Sequence, residues 1–228
     1  KSSGILLKWR SVILHAVGND VVDLRADGAC GKSRDKRFVC RVLTASEQNR
    51  LAGSQSPDAC LWAMWAAKEA AYKAVSRIFP DISAWPGRYE TVFDHPGLPR
   101  QFAGTVNTPE GSVCVRLHWD ENRVHCVGLI GSSELWQDLT ADVFEPEDDV
   151  HPEIQPSAKQ LSAAARTAAA AAIALHTGLP HCLVKIERSR VCQRSAPPVV
   201  QINGIEEKIP VSLSHHGRFA AFAFLSAL

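Results

Sequence analysis

The sequence predicts an α+β fold of two similar halves, each a helix packed on a small, mainly antiparallel sheet. Three observations predict it. Two helix-forming stretches, 59–78 and 158–176, are each followed by short β-rich segments set off by turn residues. An acidic, proline-rich stretch at 145–157 stands between these two runs, as an exposed linker does. Apolar residues make up 46% of the 228-residue chain against 21% charged, an ordinary globular mix that can bury a core. The expected organisation is a first half at 1–144, a linker at 145–157 and a second half at 158–228.

The elements follow in order. Apolar residues from Val12 through Val17, Val21 and Val22 to Leu24 read as a strand with a turn or bend at Gly18-Asn19. Ser56-Pro57-Asp58 punctuates the chain before a helix whose bulky positions are Leu61, Trp62, Trp65, Tyr72 and Val75. Strands are expected near 89–93, 113–117 and 124–130, with a hairpin-like turn over 107–111. In the second half an alanine-dominated helix is closed by Gly178 and Pro180. Strands follow near 183–186, 199–202, 211–213 and 219–225.

Composition also excludes. With 25 basic and 24 acidic residues the net charge is +1, so no global field points to nucleic acid or an anionic membrane. No window reaches the run of about 18 apolar residues that a membrane helix needs. The chain opens on Lys1, and 5–7 is too short an apolar run for a signal-peptide core. The seven cysteines are scattered, without a CxxC pair or Cys/His ligand spacing, and read as free thiols in a reducing, cytoplasmic compartment.

Three segments carry candidate chemistry. Asp20 lies among the β-branched residues of 17–24, where a carboxylate is costly to bury unless paired or metal-bound; a strand-end cap is the plainer reading. On a helix, Trp62, Trp65, Glu69 and Lys73 share one face, placing Glu69 and Lys73 at the end of an aromatic stripe; the plainer reading is a surface ion pair. The segment 211–219 ends its alternation in His215, His216 and Gly217, as a loop aiming polar groups at a ligand does, or as an ordinary exposed turn does. Taken together, Asp20 and Glu69 offer hard oxygen ligands for Mg²⁺, while Lys68, Lys73 and His215 offer positive charge to phosphates. That set suits phosphoryl-group transfer. No Walker or Rossmann glycine motif is present, so a nucleotide held by a P-loop is not expected.

The three segments resemble the signature of the 4′-phosphopantetheinyl transferases: Gly-x-Asp, Trp-x-x-Lys-Glu-Ala-x-x-Lys and Ser-x-Ser-His. Here they read Gly18-Asn19-Asp20, Trp65-Ala66-Ala67-Lys68-Glu69-Ala70-Ala71-Tyr72-Lys73 and Ser212-Leu213-Ser214-His215. The stretch 37–47 is similar to the family's Arg-Phe…Arg-Val-Phe-Thr…Glu. The likeness covers most of 17–78 and 199–225. It implies the two-half, pseudo-dimeric type with the order of the halves permuted: one composite site between them, in a monomer with an internal pseudo-two-fold. It departs from that type at Val22, where a second acid often stands.

The resemblance implies transfer of phosphopantetheine from coenzyme A to a serine of an apo acyl or peptidyl carrier protein, releasing 3′,5′-ADP. Asp20 and Glu69 are then the two carboxylates on Mg²⁺, with water completing the octahedron. Lys73 and His215 neutralise phosphate oxygens, and Glu69, directly or through a water, takes the serine proton. Lys68, Ser214, Arg166, Lys208 and Arg218 are further candidates for coenzyme A contacts, with solvated surface the alternative for several. Lys32, Arg34, Lys36, Arg37 and Arg41 are the candidate docking cluster for an acidic carrier. Fatty acid, polyketide and nonribosomal peptide synthases all stay open as the source of that carrier. Two competing classes are a Mg²⁺-dependent hydrolase of nucleotide pyrophosphates and a silent carrier-binding module.

Overall fold

The computed structural model describes residues 15–94, 100–146, 155–188, 190–191 and 194–226. The expected strand residues 12–14 and most of the 145–157 linker lie outside that set. The fold is α+β. Its first half comprises β1 (Ala16–Asp23), helices α1 (Lys36–Val42), α2 (Ala45–Ala52) and α3 (Pro57–Ser76), then β2 (Glu90–Phe93), β3 (Gln101–Thr108), β4 (Gly111–Trp119) and β5 (Arg123–Ile130). These strands form one antiparallel sheet in the order β1-β5-β4-β3-β2.

Helix α3 starts at Pro57, a residue suited to the first helical position because its missing N–H has no partner there in any case. Ala66, Ala67, Ala70, Ala71 and Ala74 give it a smooth buried face, so its backbone lies directly on β1. The expected bend at Gly18-Asn19 is absent: β1 runs unbroken through it. Gly18 is there for closeness, since a Cβ at that position would lie 1.9 Å from the Ala70 carbonyl oxygen. β1 and β5 are buried almost end to end because α3 covers one face and the second half covers the other.

The second half comprises β6 (Leu139–Phe144), α4 (Ala158–Thr177), β7 (Val184–Glu187), the short β8 (Arg190–Val191) and β9 (Arg194–Ser195), β10 (Val199–Ile202), β11 (Ile205–Glu207), β12 (Val211–His216) and β13 (Phe219–Leu225). Helix α4 is fenced by a Ser157/Gln160 capping box and by Gly178 at φ 69°. β6-β13-β12 form one sheet and β7-β10-β11 another. Pro210, which has no N–H to give a ladder, separates β11 from β12. Taken as one interrupted strand, β11 and β12 complete the order β6-β13-β12/β11-β10-β7, the order of the first sheet. β6 lies within 1–144, yet it is hydrogen-bonded along its length to β13. By its pairing β6 belongs to the second sheet.

Register makes the repeat residue-specific. Leu117 faces Cys126 as Leu213 faces Phe222, and Asp20 faces Cys126 as Asp142 faces Phe222. The counterparts Val17 and Leu139 share one apolar cluster between the halves, and Val21 and Val143 share another. Among the described residues no helix is long and apolar enough to cross a membrane.

Candidate active site

The halves meet where β1 runs alongside β12. Asn19 N donates to Ser212 Oγ (2.9 Å), Val21 N to Ser214 Oγ (3.1 Å) and Asp23 N to His216 Nδ1 (3.1 Å). Each pair is 193 residues apart, so the strands are parallel and in register, with side chains of β12 replacing a backbone ladder. Alternate residues of β1 turn the other way, and Asp20 thus faces α3.

There the three motifs converge. Asp20 Oδ1 accepts from Lys73 Nζ (2.8 Å) and from Ser214 Oγ (3.0 Å), and Lys73 Nζ also donates to the Asn19 carbonyl (2.8 Å). Asp20, Lys73, Ser162, Arg188, Ser214 and His215 line a cleft of about 170 Å³ at this point. Glu69, one helical turn before Lys73, is half-buried. Burial and the Asp20 charge push its carboxyl up to about 7, against the pull of Lys73. Shielding from water and the cations Lys73 and Arg188 hold His215 below its ordinary value.

Two carboxylates side by side, one with its proton affinity raised by burial and by the other, are hard oxygen donors of the kind a divalent cation takes. Among the described residues Glu69 takes no hydrogen bond, and no group of three or more metal-ligating side chains forms. Asp20 and Glu69 are the oxygen pair available, so water would supply the rest of a Mg²⁺ shell.

Not every expected residue comes to the cleft. Lys68 is corrected: it is neither a phosphate contact nor a surface charge. It is 1% exposed, and its ammonium donates to Glu47 Oε2 (2.6 Å) and to the Val42 carbonyl (2.7 Å). Glu47 in turn accepts from the Thr91 amide and hydroxyl (2.8 Å each) and caps α2 through Thr44. Arg218 forms a two-pronged pair with buried Asp23, at 2.9 and 3.1 Å, and clamps the seam outside the lining of the cleft. Arg166 donates to Ser162 Oγ (2.9 Å) beside the cleft without lining it, and Lys208 is exposed and away from the lining. Ser214 is in the cleft, bound to Asp20.

Arg188 and Ser162 are the polar cleft residues that sequence reasoning missed, and Arg188 is the charged one. It follows β7 in a segment rich in basic residues, and only the sheet order brings it beside His215. Arg77, just past α3, likewise crosses the seam to the carbonyls of Pro198 and Val211. Of the basic cluster, Lys32 pairs with Asp35 (2.8 Å), and Lys32 and Arg41 lie over the Phe38 ring. Trp62 and Trp65 pack on that same ring, so the aromatic stripe belongs to α1 as much as to the site. Cys30, Cys40, Cys60, Cys114, Cys126 and Cys182 are free thiols.

Comparison with known proteins gives three findings. Residues 16–127 match the family described as the 4′-phosphopantetheinyl transferase superfamily. No curated protein matches. Among solved structures the chain is similar to the crystal structure of Thermotoga maritima holo-[acyl-carrier-protein] synthase (AcpS), at 14% identity over 84% of each chain, with a TM-score of 0.36.

Proposed function

Residues 16–127 of this chain belong to the 4′-phosphopantetheinyl transferase superfamily, and on that premise we propose that the Asp20 cleft moves phosphopantetheine from coenzyme A to a carrier-protein serine, with Mg²⁺ and with release of 3′,5′-ADP. The observation that carries this reading is the meeting of Asp20, Lys73 and Ser214 within 3.0 Å, from three motifs at opposite ends of the chain. The serine oxygen forms a bond to the phosphorus that bears pantetheine. The bond from that phosphorus to the adenosine bisphosphate oxygen breaks, and the serine proton leaves to a base.

The residues divide the work by their chemistry. Lys73, Arg188 and His215 present cationic or donor groups in the lining of the cleft, suited to the oxygens of a pyrophosphate. Asp20 and Glu69 would hold the cation. When bound, Mg²⁺ supplies neutralisation of the phosphate charge and fixes the geometry of the leaving group. Glu69 is the candidate to receive the serine proton, directly or through a water. Ser214 fixes Asp20 from the far side, and the Asp23–Arg218 pair holds β12 in register so that it can.

The test is intact-protein mass spectrometry of apo acyl and peptidyl carriers incubated with the chain, coenzyme A and Mg²⁺. A mass gain of one phosphopantetheine, lost with chelator and in Glu69→Ala, is the expected result. Adenosine bisphosphate released without any carrier gain would make the site a hydrolase. No change with any carrier, in a folded protein that also fails to bind coenzyme A, would make it a silent module.

A further inference from the structure

The pseudo-two-fold that places Ser212 and Ser214 of β12 against β1 has a second end. There β4 stands where β12 stands, and β6 where β1 stands. Arg116 faces Val127 as Ser212 faces Ala223, and His118 faces His125 as Ser214 faces Ala221. The short hydroxyls that close the first seam are thus replaced by a guanidinium and an imidazole, and Asn19 is replaced by Ala141. β4 and β6 do not zip together. Between them lies a groove of about 410 Å³, lined by Gln101, Arg116, His118, His125, Val127 and Ala141 among others, with no acidic side chain among the described residues of its walls.

This groove contains an unmet polar atom. His125 is 8% exposed, and its Nε2 has no hydrogen-bond partner among the described residues. A buried polar atom left this way is uncommon and costly, and it marks a place where a partner belongs. The surroundings say which kind. His118 lies directly across the strand pair, and the Arg116 guanidinium is held over the Trp136 ring at 4.3 Å. Burial above all, with Arg123, His118 and Lys73 behind it, pushes the His125 imidazole down to about 3, so the ring is neutral and offers a hydrogen bond rather than a charge. Among the described residues no third ligating side chain joins the two histidines to make a metal site.

We propose that this groove is a second binding site, separate from the Asp20 cleft, for the oxyanion group of a small molecule, a phosphate or carboxylate. Arg116 and His118 hold the anion at the mouth. His125, with its ring proton on Nε2, donates the innermost hydrogen bond. The site does not depend on the transferase reading, because the residues that line it and those that line the Asp20 cleft are different sets.

The experiment is imidazole ¹⁵N NMR on the full chain, with resonances assigned by single His→Gln substitutions. Sodium phosphate and sodium acetate are titrated in separate arms at constant ionic strength. Saturable shifts of His118 and His125 are expected in at least one arm, and the responding arm identifies the oxyanion. In Arg116→Gln, an exposed position that folding tolerates, the midpoint should rise about tenfold, the loss of one charge-assisted hydrogen bond. His215, in the other cleft, should respond alike in parent and variant. Unmoved His118 and His125 signals in both arms, or shifts undiminished by Arg116→Gln, would overturn the site.

Discussion

One hydroxyl joins Asp20 to the second half: Ser214 Oγ donates to Asp20 Oδ1 at 3.0 Å while accepting from the Val21 amide at 3.1 Å. Ser214→Ala removes both bonds. It leaves a buried backbone N–H without a partner, which costs about 1–3 kcal/mol, and it frees Asp20 to follow Lys73 alone. Urea unfolding should show that loss, and transfer kinetics should show kcat falling with little change in the KM for coenzyme A. A variant as stable as its parent would mean the seam does not rest on this hydroxyl.

Lys68 and Glu47 form a pair in which each side chain is 1% exposed. Burial lowers the Lys68 pKa and the Glu47 charge opposes that shift. Lys68→Met should therefore cost about 3–5 kcal/mol, because Glu47 is left charged and buried. Adding Glu47→Gln should recover part of the loss, and neither change should raise the KM for coenzyme A. A raised KM at unchanged stability would return Lys68 to the phosphate site.

What the sequence made legible follows from where information is local. Helices α3 and α4 carry their own stop and start signals in Pro57, Ser157 and Gly178, and both fall within two residues of expectation. β3 escaped because Gly104 and Asn107 dilute its strand preference, and only its inward residues Phe102 and Val106 are large and apolar. β6 escaped because its identity depends on pairing with β13, across α4 and most of the second half. The site shows the same division. Asp20, Glu69 and Lys73 are singled out by the resemblance of three motifs, since helical spacing puts Glu69 and Lys73 on one face but leaves a surface ion pair as the plainer reading, as it leaves a strand-end cap for Asp20. Lys68 could not be placed, because the adjacent position on α3 points at Glu47, and nothing local to residues 65–73 announces a buried acid from α2.

Gly18 sets the distance between the strand that carries Asp20 and the helix that carries Glu69 and Lys73. A Cβ there would sit 1.9 Å from the Ala70 carbonyl oxygen and 2.8 Å from the Ala74 amide nitrogen, both of them backbone and unable to swing away. Gly18→Ala must push β1 off α3. The expected result is a stability loss of about 3 kcal/mol or more and a loss of transfer larger than the stability change explains. Thermal unfolding with rates measured well below the midpoint separates the two. Gly128, whose Cβ would lie 3.3 Å from Ala70, should tolerate alanine better.

The Asp23–Arg218 clamp carries a pH signature. Burial raises the Asp23 carboxyl, and the Arg218 guanidinium with the amides of Arg25 and Arg218 outweighs it, so the net shift is downward from 3.8. A lowered carboxylate contributes stability that is present above its unfolded value and is lost as pH falls through the folded one. Arg218→Met should cost about 2–3 kcal/mol at pH 7, less than a fully buried pair because Arg218 is 33% exposed. The gap between variant and parent should narrow below about pH 4, as Asp23 takes up its proton. Urea midpoints at the two pH values decide this, and a gap that stays constant with pH would dissociate the clamp from Asp23.

Glu69 runs the opposite way. Burial and the Asp20 charge raise its carboxyl from 4.5 to about 7. Between those values the folded chain keeps a proton that the unfolded chain has released, so without divalent cation the protein loses stability as pH climbs through that window. The shift corresponds to at most about 3 kcal/mol. In chelator at pH 8, Glu69→Gln should be more stable than the parent, and the two should converge near pH 5. Mg²⁺ should stabilise the parent at pH 8 and leave Glu69→Gln where it was, since the cation needs the second carboxylate. Transfer in Glu69→Gln should fall by about 10²–10⁴, the usual contribution of a positioned base, and added Mg²⁺ should not restore it. Retention of activity by a variant that no longer answers to Mg²⁺ would separate the two roles and leave Asp20 as the carboxylate that matters for the reaction.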